Sequence, residues 1–320
     1  MLTVLFATRN RARILNEVLE SYCHLQAPTG SWKLVVVDNG STDKTLDTLK
    51  SFASRLPLQF IVESKPGKNV ALNSGLELAE GELTVLTDDD AFPRANWLVE
   101  LRRAAESQPA YSMFGGVVIP RWSIPPPHWV EWVNQAAVFT LTNPSLPDGP
   151  LDPKEIYGPN MAVRTSVFTS GARFDTSIGP KGASYPMGSE TELVLRLGRQ
   201  GHRAWHARQA VVEHYVREEQ LGKDWVMQRA VRFGRGQYRL FGIQGANGSP
   251  TVGSRPVLWR KMLKQAALMI AGRFAFQEEM AFRAAWRFNY FRGEAIEARN
   301  MALEHRAQSN SAPAEVRRDS

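Results

Sequence analysis

Residues 82–92 read ELTVLTDDDAF, and this stretch decides the fold. Leu83 to Thr87 is an apolar, β-branched run of the kind that makes a buried strand, and it ends at three consecutive carboxylates, Asp88, Asp89 and Asp90. Like charges packed this closely repel, so stability does not account for them. At the carboxyl end of a strand in an open α/β sheet such a cluster lies where ligands bind, and hard oxygen donors at this spacing suit Mg²⁺ or Mn²⁺. A solvated acidic turn leading into Pro93 is the plain alternative for so short a stretch.

The chain before this strand repeats one pattern. Leu2 to Ala7 reads as a strand left by Thr8-Arg9-Asn10, and a helix follows from about Ala12 to Leu25, with Ile14, Leu15, Val18, Leu19 and Tyr22 at helical spacing. Lys33 to Val37 is a second strand that ends in Asp38-Asn39-Gly40-Ser41-Thr42-Asp43, and Leu46, Leu49 and Phe52 mark the next helix. Gln59 to Glu63 is a third strand, and the loop 65–69 opens a helix read through Glu80. Strands alternating with helices predict a doubly wound, mostly parallel sheet covered by helices on both faces. Its polar loops, 8–10, 38–43 and 88–90, should then meet at one sheet edge.

After the acidic cluster a helix from Ala95 to Ser107 leads to a fifth strand, Ser112 to Ile119, broken by Gly115-Gly116. Residues 120–150, with their prolines and Trp122, Trp129 and Trp132, read as a long functional loop carrying at most one short helix around His128 to Thr140. A strand and helix start resume over 156–168, and the glycine-rich stretch 174–188 is expected to be mobile. A helix from Glu190 to Gln200 precedes an extended segment from Ala204 to Tyr215. These elements place a catalytic domain at 1–217, with halves of about 1–120 and 121–217. A basic helical extension follows over 218–306, interrupted by the linker Gly245 to Pro250, and 307–320 is a polar tail expected to be disordered.

Bulk properties narrow the function. A composition of 43% hydrophobic and 22% charged residues is that of a globular protein, and a net charge of +7 favours anionic partners. A single cysteine, Cys23, allows no internal disulfide and fits a reducing compartment. The opening MLTVLFATRNR lacks a basic leader and reads as the first strand, and no run reaches the roughly 18 apolar residues of a membrane span. The expected location is therefore cytoplasmic.

Seven segments, in order, carry a resemblance: FATRNRARIL (6–15), VVVDNGSTDKT (35–45), GKNVALNSGL (67–76), LTDDDAFPRANWL (86–98), YGPNMAVRTSVF (157–168), GSETELVLRLGRQGHRAW (188–205) and AVVEHYV (210–216). They span about two-thirds of the chain, which resembles the family 2 glycosyltransferases with the GT-A fold. That resemblance implies an inverting enzyme using a nucleotide-diphospho-sugar donor, with a UDP-sugar favoured, and a carbohydrate or lipid-linked acceptor. It places Thr8, Arg9 and Asp38 at the nucleobase, and Lys68 and Asn73 along the ribose and sugar pocket. Asp88 and Asp89 fall at ribose and sugar, and Asp90, Asp88 and His214 at a Mn²⁺ or Mg²⁺ ion. Glu190 falls at the general base, where the family usually has Asp.

The residues themselves allow plainer roles. Asp38 in Asp-Asn-Gly-Ser fits an Asx turn, and a histidine at a strand end is more often structural than metal-binding. Ser189 and Glu192 fit a capping box, which leaves Glu190 at the helix's positive end without such an explanation. Trp122, Trp129 and Trp132 could offer flat faces to an acceptor sugar, although tryptophan clusters more often anchor a core or a loop, and Asn160 could hydrogen-bond a sugar hydroxyl or serve a turn. The segment 256–276, apolar with interleaved Arg260, Lys261, Lys264 and Arg273, fits either packing against the catalytic domain or peripheral contact with an anionic membrane.

Two other functional classes fit the sequence less well. A nucleotidyl- or phosphotransferase would need a phosphate-cradling loop, and no GxxxxGK[ST] is present. A non-catalytic sugar- or membrane-binding protein would have no reason to keep the acidic cluster, Glu190 and His214 together. Nucleic acid is not an expected partner, because the positive charge gathers in no recognisable module.

Overall fold

A computed structural model of the chain describes residues 1–182, 184–242 and 255–311. The chain divides into two compact units, one built from 1–183 and 188–222 and the other from 184–187 and 223–320.

The first unit is organised by a nine-stranded sheet. Its strands are β1 (Leu2–Thr8), β2 (Trp32–Asp38), β3 (Leu58–Val62), β4 (Leu83–Leu86), β5 (Ala91–Pro93), β6 (Met113–Trp122), β7 (Gly149–Leu151), β8 (Met161–Arg164) and β9 (Ala204–Val216). The order is β3-β2-β1-β4-β8-β6-β9-β5, with β7 also paired to β9. The expected parallel layout holds through β3-β2-β1-β4. β8 then runs antiparallel between β4 and β6, and the parallel relation returns between β6 and β9. The glycine pair at 115–116 does not break β6 but shifts its register against β9 between Gly116 and Val117.

Alternate residues of the central strands serve two cores, which is why these strands read as unbroken apolar runs. On one face Leu5, Val35 and Val37 join the buried residues of α3 (Lys68–Leu76), α6 (Thr165–Thr169) and α7 (Ser189–Arg199). On the other face Phe6 meets Tyr22 of α1 (Ala12–Tyr22), which packs edge-on against Trp97 of α4 (Trp97–Ser107) at 6.1 Å. α2 (Thr45–Phe52) buries Leu49 and Phe52, whereas Leu46 and, in α1, Ile14, which share the helical spacing, are only partly buried.

The stretch 120–150 is more ordered than a bare loop. A 3-10 turn at His128–Trp132 buries Trp129 and Val130, and α5 (Gln135–Phe139) follows with Asn134 as its side-chain cap. The glycine-rich stretch after Phe174, expected to be mobile, is held by α3 at several points. The Asn69 amide donates to the carbonyls of Asp175 and Ile178, and the Lys68 amide donates to that of Pro180 at 3.1 Å.

The second unit is helical: α8 (Lys223–Phe241), α9 (Arg255–Phe274) and α10 (Glu278–Ser311). α10 thus extends through Ser311, into the stretch read as a polar tail, whereas the linker 245–250 and residues 312–320 lie outside the described residues. Inside this unit Glu297 is fully buried and accepts from Nε of Arg235 at 2.8 Å and Nε of Arg239 at 2.5 Å. Among the described residues no helix is long and apolar enough to cross a membrane.

Candidate active site

The loops 8–10, 38–43 and 88–90 meet at the carboxyl edge of the parallel strands. Thr8 Oγ1 donates to Asp89 Oδ2 at 2.7 Å, and Asn10 Oδ1 accepts from the Thr42 amide at 2.7 Å. Asp38 is fully buried; its Oδ2 accepts from the Ser41 amide at 3.1 Å, as the Asx turn requires, while its Oδ1 has no hydrogen-bond partner. A buried carboxylate oxygen without a partner is costly unless a ligand donor completes it. Arg9 is exposed at the same edge.

The acidic cluster divides its work. Asp88, Asp90 and His214 each offer a ligand atom, and these atoms lie within 4.8 Å of one another. The short strand β5 makes this possible, because its antiparallel pairing sets His214 opposite Ala91, the residue after Asp90. His214 Nδ1 lies 2.8 Å from the Phe139 carbonyl, an acceptor, so that nitrogen carries the proton and Nε2 faces Asp90 Oδ1 at 3.3 Å. The chain around α5 therefore orients the imidazole. Carboxylate oxygens with one imidazole form a donor set suited to a divalent cation of the Mn²⁺ type.

Charges around the cluster are distributed unequally. Burial works to raise Asp90, but His214 and then Arg217, whose NH1 lies 3.0 Å from Asp90 Oδ2, more than offset it and hold the group well below the usual range. Burial also works against a charged His214, and Asp90 outweighs it, so the imidazole is raised. Asp89 is pushed up to about 6 by burial and by Asp90, against the opposing Arg11 at 3.8 Å. Nothing in the sequence marks Arg11 or Arg217 as neighbours of these carboxylates.

Glu190 is brought to the same cluster through Lys68, whose Nζ donates to Glu190 Oε1 at 2.7 Å and to Asp88 Oδ1 at 2.6 Å. Burial would raise the Glu190 carboxyl, and Lys68 reverses this and holds it below its usual value. Glu190 also lies against Gly158: a Cβ there would come within 2.8 Å of its carboxyl carbon, so any side chain would displace the glutamate. The capping box read at this helix is absent. The helix begins at Ser189, Gly188 with φ 113° takes the cap position, and Glu192 pairs with Arg196 at 2.7 Å. Glu190 is thus the second helical residue.

Two residues expected in the site have other work. Asn73 donates to the Phe174 carbonyl at 2.9 Å and accepts from the Phe174 amide at 2.8 Å, which anchors the stretch after Phe174 to α3. Asn160 is fully buried; it accepts from Trp97 Nε1 at 2.9 Å and donates to the carbonyls of Val117 and Ala210, both at 2.9 Å. Both its N–H groups are spent on the core, and its side chain is closed to solvent. Trp122 packs edge-on against Phe139 at 5.3 Å, beside the carbonyl that orients His214, and remains partly exposed.

A family model described as Glycosyl transferase family 2 matches residues 3–167. The chain is similar to a glucosyl-dolichyl phosphate glucuronosyltransferase of Haloferax volcanii, 25% identical over 172 residues, 51% of this chain and 52% of that protein. It is also similar to a PGL/p-HBAD biosynthesis glycosyltransferase of Mycobacterium tuberculosis, 32% identical over 123 residues, 37% of this chain and 47% of that protein. The chain spans about half the length of these curated relatives. Among solved structures, a mannosyltransferase of Pyrobaculum calidifontis in complex with GDP-Man and Mn²⁺ superposes with a TM-score of 0.56, at 19% identity, over 89% of this chain and 85% of that one. S. aureus TarS 1–349 in complex with UDP gives 0.54, at 16% identity, over 93% and 91%. At such identities the likeness shows the shared GT-A fold alone.

Proposed function

The chain belongs to glycosyl transferase family 2, and on that premise we propose that it is an inverting transferase moving a sugar from a UDP-sugar to the hydroxyl of a lipid-linked or carbohydrate acceptor. The observation that carries this reading is the convergence of Asp88, Asp90 and His214 with ligand atoms within 4.8 Å, at the edge where Asp38 keeps a buried oxygen unpartnered.

Each residue then has a role. Asp38 has one oxygen to offer, because the other is spent on the Ser41 amide, and one acceptor matches the single ring N–H of uracil better than the paired donors of guanine. A divalent cation of the Mn²⁺ type, held by Asp88, Asp90 and His214, would neutralise charge on the departing diphosphate. Glu190 takes the proton from the acceptor hydroxyl as its oxygen attacks the anomeric carbon. The bond from that carbon to the diphosphate breaks, and its electron pair leaves with the nucleotide. One in-line displacement inverts the anomeric centre. Lys68 keeps Glu190 ionised for this task and balances Asp88 from the same ammonium. Trp122 offers its partly exposed ring to the acceptor. The lipid-linked acceptor is supported by relatives whose names tie them to dolichyl phosphate and to PGL/p-HBAD biosynthesis.

Calorimetric titration of UDP, GDP, ADP and CDP into the protein, with and without Mn²⁺, tests the reading. Manganese-dependent binding of UDP above the other three supports it; binding of none, or binding indifferent to the metal, overturns it.

A further inference from the structure

Helix α9 of the second unit presents an apolar stripe to solvent. Trp259, Leu263, Ile270 and Phe274 are 61, 65, 57 and 82% exposed, and Ala267 between them is exposed as well. The five positions are separated by steps of four, four, three and four residues, which keeps them on one side of a helix. The opposite side does the packing: Leu258, Gln265 and Gly272, seven residues apart, are buried. Gly272 lies so close to α10 that a Cβ would come within 2.8 Å of the Ala281 nitrogen. Because the helix is already seated by its other side, burial inside its own unit does not explain the apolar stripe. Phe276, just past the helix, is 93% exposed and holds φ 52°, a conformation that bulky residues rarely adopt. The helix end accounts for that backbone, because the Phe276 and Gln277 amides donate to the carbonyls of Arg273 and Gly272 at 3.3 and 2.8 Å, but packing within the unit does not account for its exposure.

The charges along this helix are one-sided. Residues 255–274 include Arg255, Arg260, Lys261, Lys264 and Arg273 and no acidic residue. Exposed Arg260 and Lys264 border the stripe on one edge and exposed Arg273 on the other, while Lys261 turns inward over the Phe291 ring at 5.0 Å. An exposed apolar row with cations along both borders is the pattern of a helix lying flat in an anionic lipid interface, its aromatic and aliphatic side chains at the acyl boundary and its basic groups at headgroup phosphates. A second copy of the chain fits less well, because pairing this face would bring two cationic helices together with no acidic residue on either helix to offset them.

We infer that the Trp259-Leu263-Ile270-Phe274 face of α9 is a docking surface for anionic lipid bilayers, independent of which donor the first unit uses.

Co-sedimentation of the full-length protein with phosphatidylcholine vesicles, with and without 30% phosphatidylglycerol, tests this directly. Binding should appear with the anionic vesicles and weaken as salt is added, since cations bordering the stripe are screened. The variant Trp259→Ala, Leu263→Gln, Phe274→Ser should lose at least about tenfold in vesicle affinity, because it removes three of the inserted side chains. Arg260→Gln with Lys264→Gln should cost about fivefold per charge removed, on anionic vesicles alone. All five positions are exposed, so the variants should keep the parent's circular dichroism and nucleotide binding. Equal binding of the triple variant and the parent, or no preference for anionic vesicles, overturns the inference. So does a parent that dimerises in solution through this face while the triple variant stays monomeric.

Discussion

The Nζ of Lys68 donates to Oε1 of Glu190 at 2.7 Å, and the same ammonium reaches Asp88 at 2.6 Å, so one cation joins the donor-side carboxylates to the proposed base. This pairing separates two functions. Glu190→Gln keeps the shape and a hydrogen-bonding oxygen but removes the proton acceptor. Transfer should fall by about 10²- to 10⁴-fold while nucleotide affinity stays within about twofold. Steady-state transfer beside calorimetry distinguishes the two, and a parallel loss of both would assign Glu190 to binding instead.

The same cation sets a pH dependence. Burial alone would raise the Glu190 carboxyl above its ordinary value of 4.5, and Lys68 holds it below. A carboxyl depressed in the folded state stays ionised above its ordinary value and is lost only as pH falls through the lower native one. The rate at saturating donor should therefore not fall through protonation of Glu190 between neutrality and 4.5. In Lys68→Met only the backbone amide at the helix start still opposes burial, and the acid limb should move to higher pH. An acid limb at the same pH in both proteins would dissociate Lys68 from the ionisation of Glu190.

How much of this was legible beforehand depended on the distance over which each residue finds its partners. β1, β2 and β4 announce themselves because a strand covered on both faces is a continuous apolar run, and the loops leaving them carry Thr8, Asp38 and Asp88 within a residue or two. The resemblance supplied Glu190 and His214. β5 was not legible: three residues show no periodicity, yet its pairing with β9 carries His214 to Asp90. The structural bonds of Asn73 and Asn160 were hidden for the same reason. A buried amide that clamps backbone carbonyls looks in sequence like one that meets sugar, and the partners Phe174 and Trp97 are far along the chain. Arg11 and Arg217 became visible only beside Asp89 and Asp90.

Asp38 provides a test of nucleotide choice. Its Oδ1 is buried without a partner, so Asp38→Asn keeps an oxygen for the Ser41 turn but presents a donor where the base N–H should arrive. A hydrogen bond to a charged group contributes about 1.5–3 kcal/mol, so UDP affinity should fall by roughly 10- to 150-fold. Thermal stability should change by no more than about 1 kcal/mol, because the Ser41 turn keeps its acceptor. Unchanged UDP affinity by calorimetry would remove Asp38 from the nucleotide site.

Asn160 should behave in the opposite way. Asn160→Ala leaves the Trp97 indole N–H buried without an acceptor and two carbonyls without their shared donor. A loss of about 2–3 kcal/mol in urea unfolding is expected, with the acceptor KM of the folded enzyme unchanged. A raised KM at unchanged stability would restore the acceptor role that the geometry denies it.

The second unit depends on a charge with no solvent to fall back on. Glu297 is fully buried between Arg235 and Arg239, and Arg235 NH1 also donates to Ser184 at 2.6 Å, so three segments of that unit meet at one carboxylate. Glu297→Leu would leave both guanidinium groups facing an apolar side chain, one of them with Ser184 alone and the other with the more exposed Glu304. Breaking a buried pair from one side costs about 3–5 kcal/mol, whereas replacing all its members by apolar residues is often neutral. Glu297→Leu should accordingly lower the urea midpoint for loss of helical signal, and adding Arg235→Leu and Arg239→Met should recover most of the loss. Recovery would show that the cost lay in the stranded cations; no recovery would mean that the network itself specifies how these helices pack.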